Sequence, residues 1–176
     1  MLFNELLEKD TDDLSKPKIN RRKAVRAIIY NAINENQILL IRTNRGDYKF
    51  PGGGIKKNEN HEDALFREVK EETGFSLSGE IIFIGKMIEK GPDSFEENAI
   101  FEMESFYYRC KIAYNIQLDQ NLDDYEKEQD FKPFFIPIKD AIINNKKLIF
   151  DSNKNNIKIN DWVERETLIL NKLYEL

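Results

Sequence analysis

The chain has few of the devices that would place it outside the ordinary globular proteins. A single cysteine, Cys110, among 176 residues excludes an internal disulfide framework. The longest apolar runs, residues 38–41 and 81–84, fall far below the ~18 residues of a membrane span. The opening Met1-Leu2-Phe3-Asn4-Glu5 lacks a basic segment followed by an apolar stretch, so no signal peptide is expected. Eight glycines and five prolines are too few for a low-complexity chain or a long linker. Positive charge is not in excess either: 27 Lys and Arg face 32 Asp and Glu, for a net charge of −5. Wrapping nucleic acid by charge alone is therefore disfavoured, and an anionic substrate would need a metal or a local basic patch. From these absences a soluble, cytoplasmic, single-domain protein without DNA or membrane partners is expected.

Apolar residues make up 40% of the chain, enough for one sizeable core. Residues 1–20 are charged around Leu2, Phe3, Leu6 and Leu7 and read as an extension carrying one small helix. Residues 23–30 and 37–43 are rich in β-branched and aliphatic side chains and predict two strands joined by a turn. A short strand at 48–50 ends in Pro51 and three glycines. Residues 60–73 predict a helix: Asn60 is the cap, Glu62 and Asp63 suit the positive end of the dipole, and Gly74 stops it. A strand follows at 80–90, and one long strand or two over 99–114. A loop is expected over 119–130, a strand over 134–138, and a short helix over 141–144. A C-terminal helix spans 161–176, with Asp161 as its cap and Trp162, Ile169, Leu173 and Leu176 near one face. This mixture without strict alternation implies helices packed on a mixed sheet, an α+β arrangement.

The chemistry concentrates in residues 50–75. Glu68, Glu71 and Glu72 stand at i, i+3 and i+4, within an arc of about 100° on one helix face. Ala64 lies in that arc and is small enough to leave room above it, while Leu65, Phe66, Val69 and Thr73 form the adjacent face expected to meet the sheet. Like charges at that spacing destabilise a lone helix by ~0.2–0.5 kcal/mol per pair, so their clustering makes sense around a cation. Oxygen donors suit Mg²⁺ or Mn²⁺, which bind few carboxylates together with substrate phosphates. Arg67, four residues before Glu71, is placed either to orient it or to offset the crowding. The glycine run ahead of the helix lets a ligand approach the backbone closely.

The spacing Gly53, Glu59, Arg67-Glu68, Val69, Glu71-Glu72, Gly74, Phe75 resembles the Nudix box, the 23-residue signature of the Nudix (MutT-like) hydrolases, at every defined position. Phe50-Pro51-Gly52-Gly53 is similar to the usual lead into that box, and the likeness extends over about 22–145. The resemblance implies an α/β/α sandwich around a mixed β-sheet. It divides the chain into an extension at 1–20, a Nudix hydrolase domain at 21–150, and a C-terminal helix at 151–176 packed on that domain. It implies cleavage of a phosphoanhydride in a nucleoside diphosphate linked to another group, with Mg²⁺ or Mn²⁺ as cofactor. Glu68, Glu71, Glu72 and Glu59 would serve the metal, Arg67 would pair with a box glutamate, and Glu68 or Glu71 would be the general base. Gly52, Gly53, Arg45 and Phe50 are the expected substrate-binding residues.

Other assignments stay open. An additional acid from outside the box has six candidates: Glu96, Glu97, Glu102, Glu104, Glu126 and Glu128. Arg26, Arg42 and Arg45 are candidates for phosphate; Tyr48, Phe50, Phe106, Tyr108 and Phe135 are candidates for stacking on a base. His61 reads as a surface residue and Cys110 as a small buried hydrophobe. The C-terminal helix is explained equally by intramolecular packing and by a homodimer interface. Two further functions compete with the hydrolase of small nucleotides. One is a nucleotide-sensing module without turnover. The other is an RNA 5′-end pyrophosphohydrolase, using a basic patch of Arg21, Arg22, Lys23 and Arg26.

Overall fold

The computed structural model describes residues 1–11, 15–114 and 116–175. Its strands are β1 (Phe3–Glu8), β2 (Lys18–Ile28), β3 (Gln37–Arg42), β4 (Tyr48–Lys49), β5 (Leu77–Pro92), β6 (Ala99–Ile112) and β7 (Lys132–Pro137). Its helices are α1 (His61–Thr73), α2 (Asp124–Glu128), α3 (Ile138–Asn155) and α4 (Val163–Tyr174). One mixed sheet runs β1-β5-β6-β2, and an antiparallel sheet runs β4-β3-β7. The end of β2 meets β3 through an antiparallel bridge between Tyr30 and Ile38.

Strand alternation sorts side chains into two cores. Val25, Ala27, Ile29 and Leu39 point to one face and pack with Ala64, Leu65 and Val69 of α1. Ile28, Ile38 and Leu40 point to the other face and meet Ile138, Ala141 and Ile142 of α3 and Ile169, Leu170 and Leu173 of α4. Helices thus cover both faces, as an α/β/α sandwich requires. Cys110 is buried in the first core, where burial pushes its thiol up to about 12 and leaves it inert. Ala64 also packs there fully buried, so it does not hold open space over the acids.

Several elements differ from expectation. Residues 3–8 form a strand, not a helix: Phe3, Glu5 and Leu7 alternate inward, and the parallel partner β5 supplies the ladder. Inside the expected loop at 119–130 sits α2, started by a capping box in which Asp123 and Glu126 each bond the other's backbone. The helix after β7 runs for 18 residues because α4 packs along it and buries its apolar stripe. Asp161 is not the cap of α4. The helix begins at Val163 with Trp162 in the cap position and no side-chain cap bond: an indole has no acceptor to offer the first-turn amides, and its N–H donates to Asp47. Leu176 lies outside the described residues.

Candidate active site

The loop and helix that build the site are held by local chemistry. Asn60 accepts a hydrogen bond from the Asp63 amide and starts α1; Gly74, at φ 74°, donates its amide to Lys70 and ends it. Left-handed backbone favours glycine there, and the Leu118 carbonyl lies where a Cβ would stand. Ahead of the helix, the Gly53 carbonyl accepts from the Val25 amide and the Pro51 carbonyl from the Ala27 amide, which pins the turn to β2. Gly52 takes φ 137°, with its missing side chain against the Val25 carbonyl.

Three carboxylates converge behind this turn. One oxygen each of Glu68, Glu72 and Glu126 lie within 4.8 Å of one another, all three residues being buried. Glu72 accepts from the Gly52 amide at 2.8 Å and from Lys49 Nζ. Burial pushes its carboxyl up to about 7, against the opposing pull of Lys49. Burial also raises Glu68, partly countered by the Arg67 guanidinium. Glu126 arrives on α2 and is fixed from two sides: it accepts from the Asp123 amide at 2.8 Å and from the Tyr125 hydroxyl at 2.9 Å. Three hard oxygen donors with Lys49 as one balancing cation form a donor set that fits a divalent ion such as Mg²⁺ or Mn²⁺.

Arg67 organises the flank. Nε and Nη2 hold both oxygens of Glu59, at 2.7 and 2.8 Å. Nη1 donates to Glu68 at 2.6 Å and Glu71 at 3.1 Å, and Nη2 also reaches the Gly54 carbonyl at 3.1 Å. The pairing with Arg67 holds Glu59 down to about 2. Glu59 therefore braces the arginine and the loop and lies outside the carboxylate cluster. Glu71, half-exposed, also lies outside it.

The other expected binding residues scatter. Phe50 is fully buried, edge-on to Tyr107, and has no face to offer a base; just past β4, its ring packs into the apolar core. Arg45 is exposed and donates to the Lys158 carbonyl at 3.4 Å. Arg26 is buried and donates to the Gly52 carbonyl, bracing the turn. His61 is half-buried rather than on the surface, with Nδ1 2.5 Å from the Tyr108 hydroxyl and its ring against Phe106. Of the six additional acids only Glu126 joins the box glutamates; Glu96, Glu102 and Glu104 pair with Lys18, Arg21 and Lys86. Lys49 and Tyr125 had not been singled out. Their only sequence signals were a lysine just before the glycine turn and an aromatic inside a capping box.

A glycine turn thus lies beside a helix whose buried glutamates converge with Glu126. The family model described as the NUDIX domain matches residues 20–160, and the chain belongs to that family. Over 33 residues it is 58% identical to an RNA pyrophosphohydrolase of Hahella chejuensis, a stretch covering 19% of this chain and 20% of that protein. Over 53 residues it is 47% identical to the m7GpppN-mRNA hydrolase of Saccharomyces cerevisiae, 30% of this chain and 5% of that one. The chain thus matches between 5% and 27% of the length of these curated relatives. The solved MutT protein of Bacillus halodurans superposes with a TM-score of 0.53 at 19% identity, over 74% of this chain and 80% of that one, a likeness of fold alone.

Proposed function

We propose that the protein is a metal-dependent pyrophosphohydrolase that cleaves a phosphoanhydride in a nucleoside diphosphate linked to another group. The observation that carries this is the convergence of Glu68, Glu72 and Glu126 behind the Gly52–Gly53 turn. These residues would hold Mg²⁺ or Mn²⁺, which when bound neutralises phosphate charge and acidifies water. Water oxygen bonds to phosphorus, the bridging P–O bond breaks, and the departing phosphate keeps the bond's electrons. The water's proton passes to a carboxylate. Glu71 suits that role better than Glu68, because it stands outside the cluster and is half-exposed. Arg67 keeps Glu71 and Glu68 aligned through a single nitrogen.

The competing RNA reading is weakened by charge matching on the sheet. The β2–β6 register sets Arg21 beside Glu102 and Lys23 beside Glu104, and Arg26 is buried. The proposed basic patch is thereby largely neutralised.

The deciding experiment measures phosphate release, with added phosphatase, from nucleoside triphosphates, sugar nucleotides, ADP-ribose, dinucleoside polyphosphates, NADH, coenzyme A and triphosphorylated RNA. It is run with Mg²⁺ or Mn²⁺ and with chelator. Metal-dependent turnover of a nucleotide class, lost in Glu72→Gln, supports the reading. Steeply salt-sensitive turnover of RNA alone replaces it with the RNA function. Silence, with ligand-induced thermal stabilisation, replaces it with a sensor.

A further inference from the structure

Among the described residues, the edge of β4 that faces away from β3 has no strand beside it, yet its polar groups are met by side chains from residues 144–166. Asn145 accepts from the Tyr48 amide and donates to the Tyr48 carbonyl, both at 2.9 Å. Asn144 donates to the Gly46 carbonyl at 2.6 Å. Asn160 and Trp162 donate to the two carboxylate oxygens of Asp47, at 2.9 and 2.8 Å. Glu166, fully buried on α4, accepts from the Phe50 amide at 3.1 Å. Four of the five residues from Gly46 to Phe50 are thus held on one side by a segment about a hundred positions away, which stands in for a missing strand.

This strand is the one that aims the site. Its next side chain inward is Lys49, which donates to Glu72, and three residues on Gly52 donates its amide to the same carboxylate. Glu166 also couples to the far side of the turn. It is paired with Arg165 at 2.8 Å and lies 3.8 Å from Arg26, whose Nη1 donates to the Gly52 carbonyl. Arg165 in turn is tied to Glu89 of β5 at 2.9 Å. Both sides of the Phe50–Gly52 turn therefore lead to one carboxylate on the C-terminal helix. Trp162, Arg165 and Glu166 lie past residue 160, where the family match ends.

We infer that the C-terminal segment is a positioning element of the site, with Glu166 setting where Gly52 and Lys49 meet Glu72. The functional part of this inference rests on the proposed role of the carboxylate cluster; the geometric part does not. Interactions behind a metal ligand commonly change affinity or rate about 10–100-fold when removed.

The test compares Glu166→Gln and Asn145→Ala, which loosen the strand at two separate points, with Leu173→Ala, which opens a cavity on α4 in the same core. Three readouts are taken on the full chain: amide exchange at Phe50 and Gly52 relative to Val69 of α1, Mn²⁺ affinity by paramagnetic resonance, and kcat against KM. Both clamp variants should speed Gly52 exchange about tenfold relative to Val69, weaken Mn²⁺ binding about tenfold, and lower kcat with KM nearly unchanged. Leu173→Ala should lower Tm without the selective change. Should Glu166→Gln not fold, Asn145→Ala alone decides. Wild-type exchange and affinity in the folded variants, or the same selective change in Leu173→Ala, overturns the inference. A Gly52 amide that responds in a protein that binds no Mn²⁺ supports the clamp and refutes the metal reading instead.

Discussion

Gly53→Ala isolates the link between the turn and the carboxylate cluster. A Cβ at Gly53 would stand 2.5 Å from Glu68 Oε2, 2.6 Å from Cδ and 2.7 Å from Oε1. All three atoms of the carboxylate are too close, so rotating its terminal bond gives no relief. The group has to retreat by about 1 Å to regain ordinary contact. Retreat into the cluster brings it nearer Glu72 and Glu126, whose oxygens already lie within 4.8 Å. At an effective dielectric constant of about 20, closing such a pair by about 1 Å costs about 1 kcal/mol. Retreat the other way disturbs the 2.6 Å bond from Arg67, and a hydrogen bond to a charged group is worth about 1.5–3 kcal/mol. Either path costs about 1–3 kcal/mol. The expected result is Mn²⁺ affinity lowered about 10–100-fold and Tm lowered by about 2–12 °C for a chain of this length. Titration calorimetry with Mn²⁺ and a thermal melt read both. Gly54→Ala and Gly79→Ala are the controls: the first meets only the flexible tip of Arg22, the second open space. Wild-type Mn²⁺ affinity in Gly53→Ala would refute the claim that Gly53 is bare to make room for Glu68.

Further outcomes follow from the same geometry. Glu126→Gln should weaken Mn²⁺ binding at least tenfold while Glu128→Gln, two residues on and exposed, leaves it unchanged; equal effects in a binding titration would remove Glu126 from the centre. Glu59 is held to about 2 in the fold against 4.5 when free, so its pairing stabilises fully above pH about 5 and fades as pH falls toward 2. Denaturant titrations should show the stability gap between wild type and Glu59→Gln narrowing over that window, and a gap independent of pH would contradict the assignment. Asn60→Ala removes the acceptor of the Asp63 amide and should cost about 0.5–2 kcal/mol, seen as a lower unfolding midpoint with Mn²⁺ affinity intact.

What could be read along the chain is what depends on near neighbours. Helix α1 was legible end to end because its cap, its first-turn acids and its terminal glycine are all local signals. The i, i+3, i+4 spacing likewise placed Glu68 and Glu72 on one face, and the strand alternation at 23–30 and 37–43 is a period of two that any half-buried strand shows. The strand at 3–8 was misread because its alternation is short and its ladder belongs to β5, some 80 positions away. α2 was missed because five residues carry too little periodicity, although the Asp123–Glu126 capping pair was there to be found.

The sequence by itself determined that a glycine turn and a helix with clustered glutamates sit side by side, since backbone geometry over 23 residues leaves little choice. Only the tertiary structure decided which acid outside the box completes the cluster. Six glutamates were chemically equivalent on paper, and the fold neutralised Glu96, Glu102 and Glu104 with facing cations while carrying Glu126 inward on α2. Only the tertiary structure, too, decided that Lys49 faces Glu72 and that Glu166 meets the Phe50 amide across 116 positions. A buried charge is tolerable only beside its partner, and partners that far apart are chosen by how the layers pack rather than by anything in the local sequence.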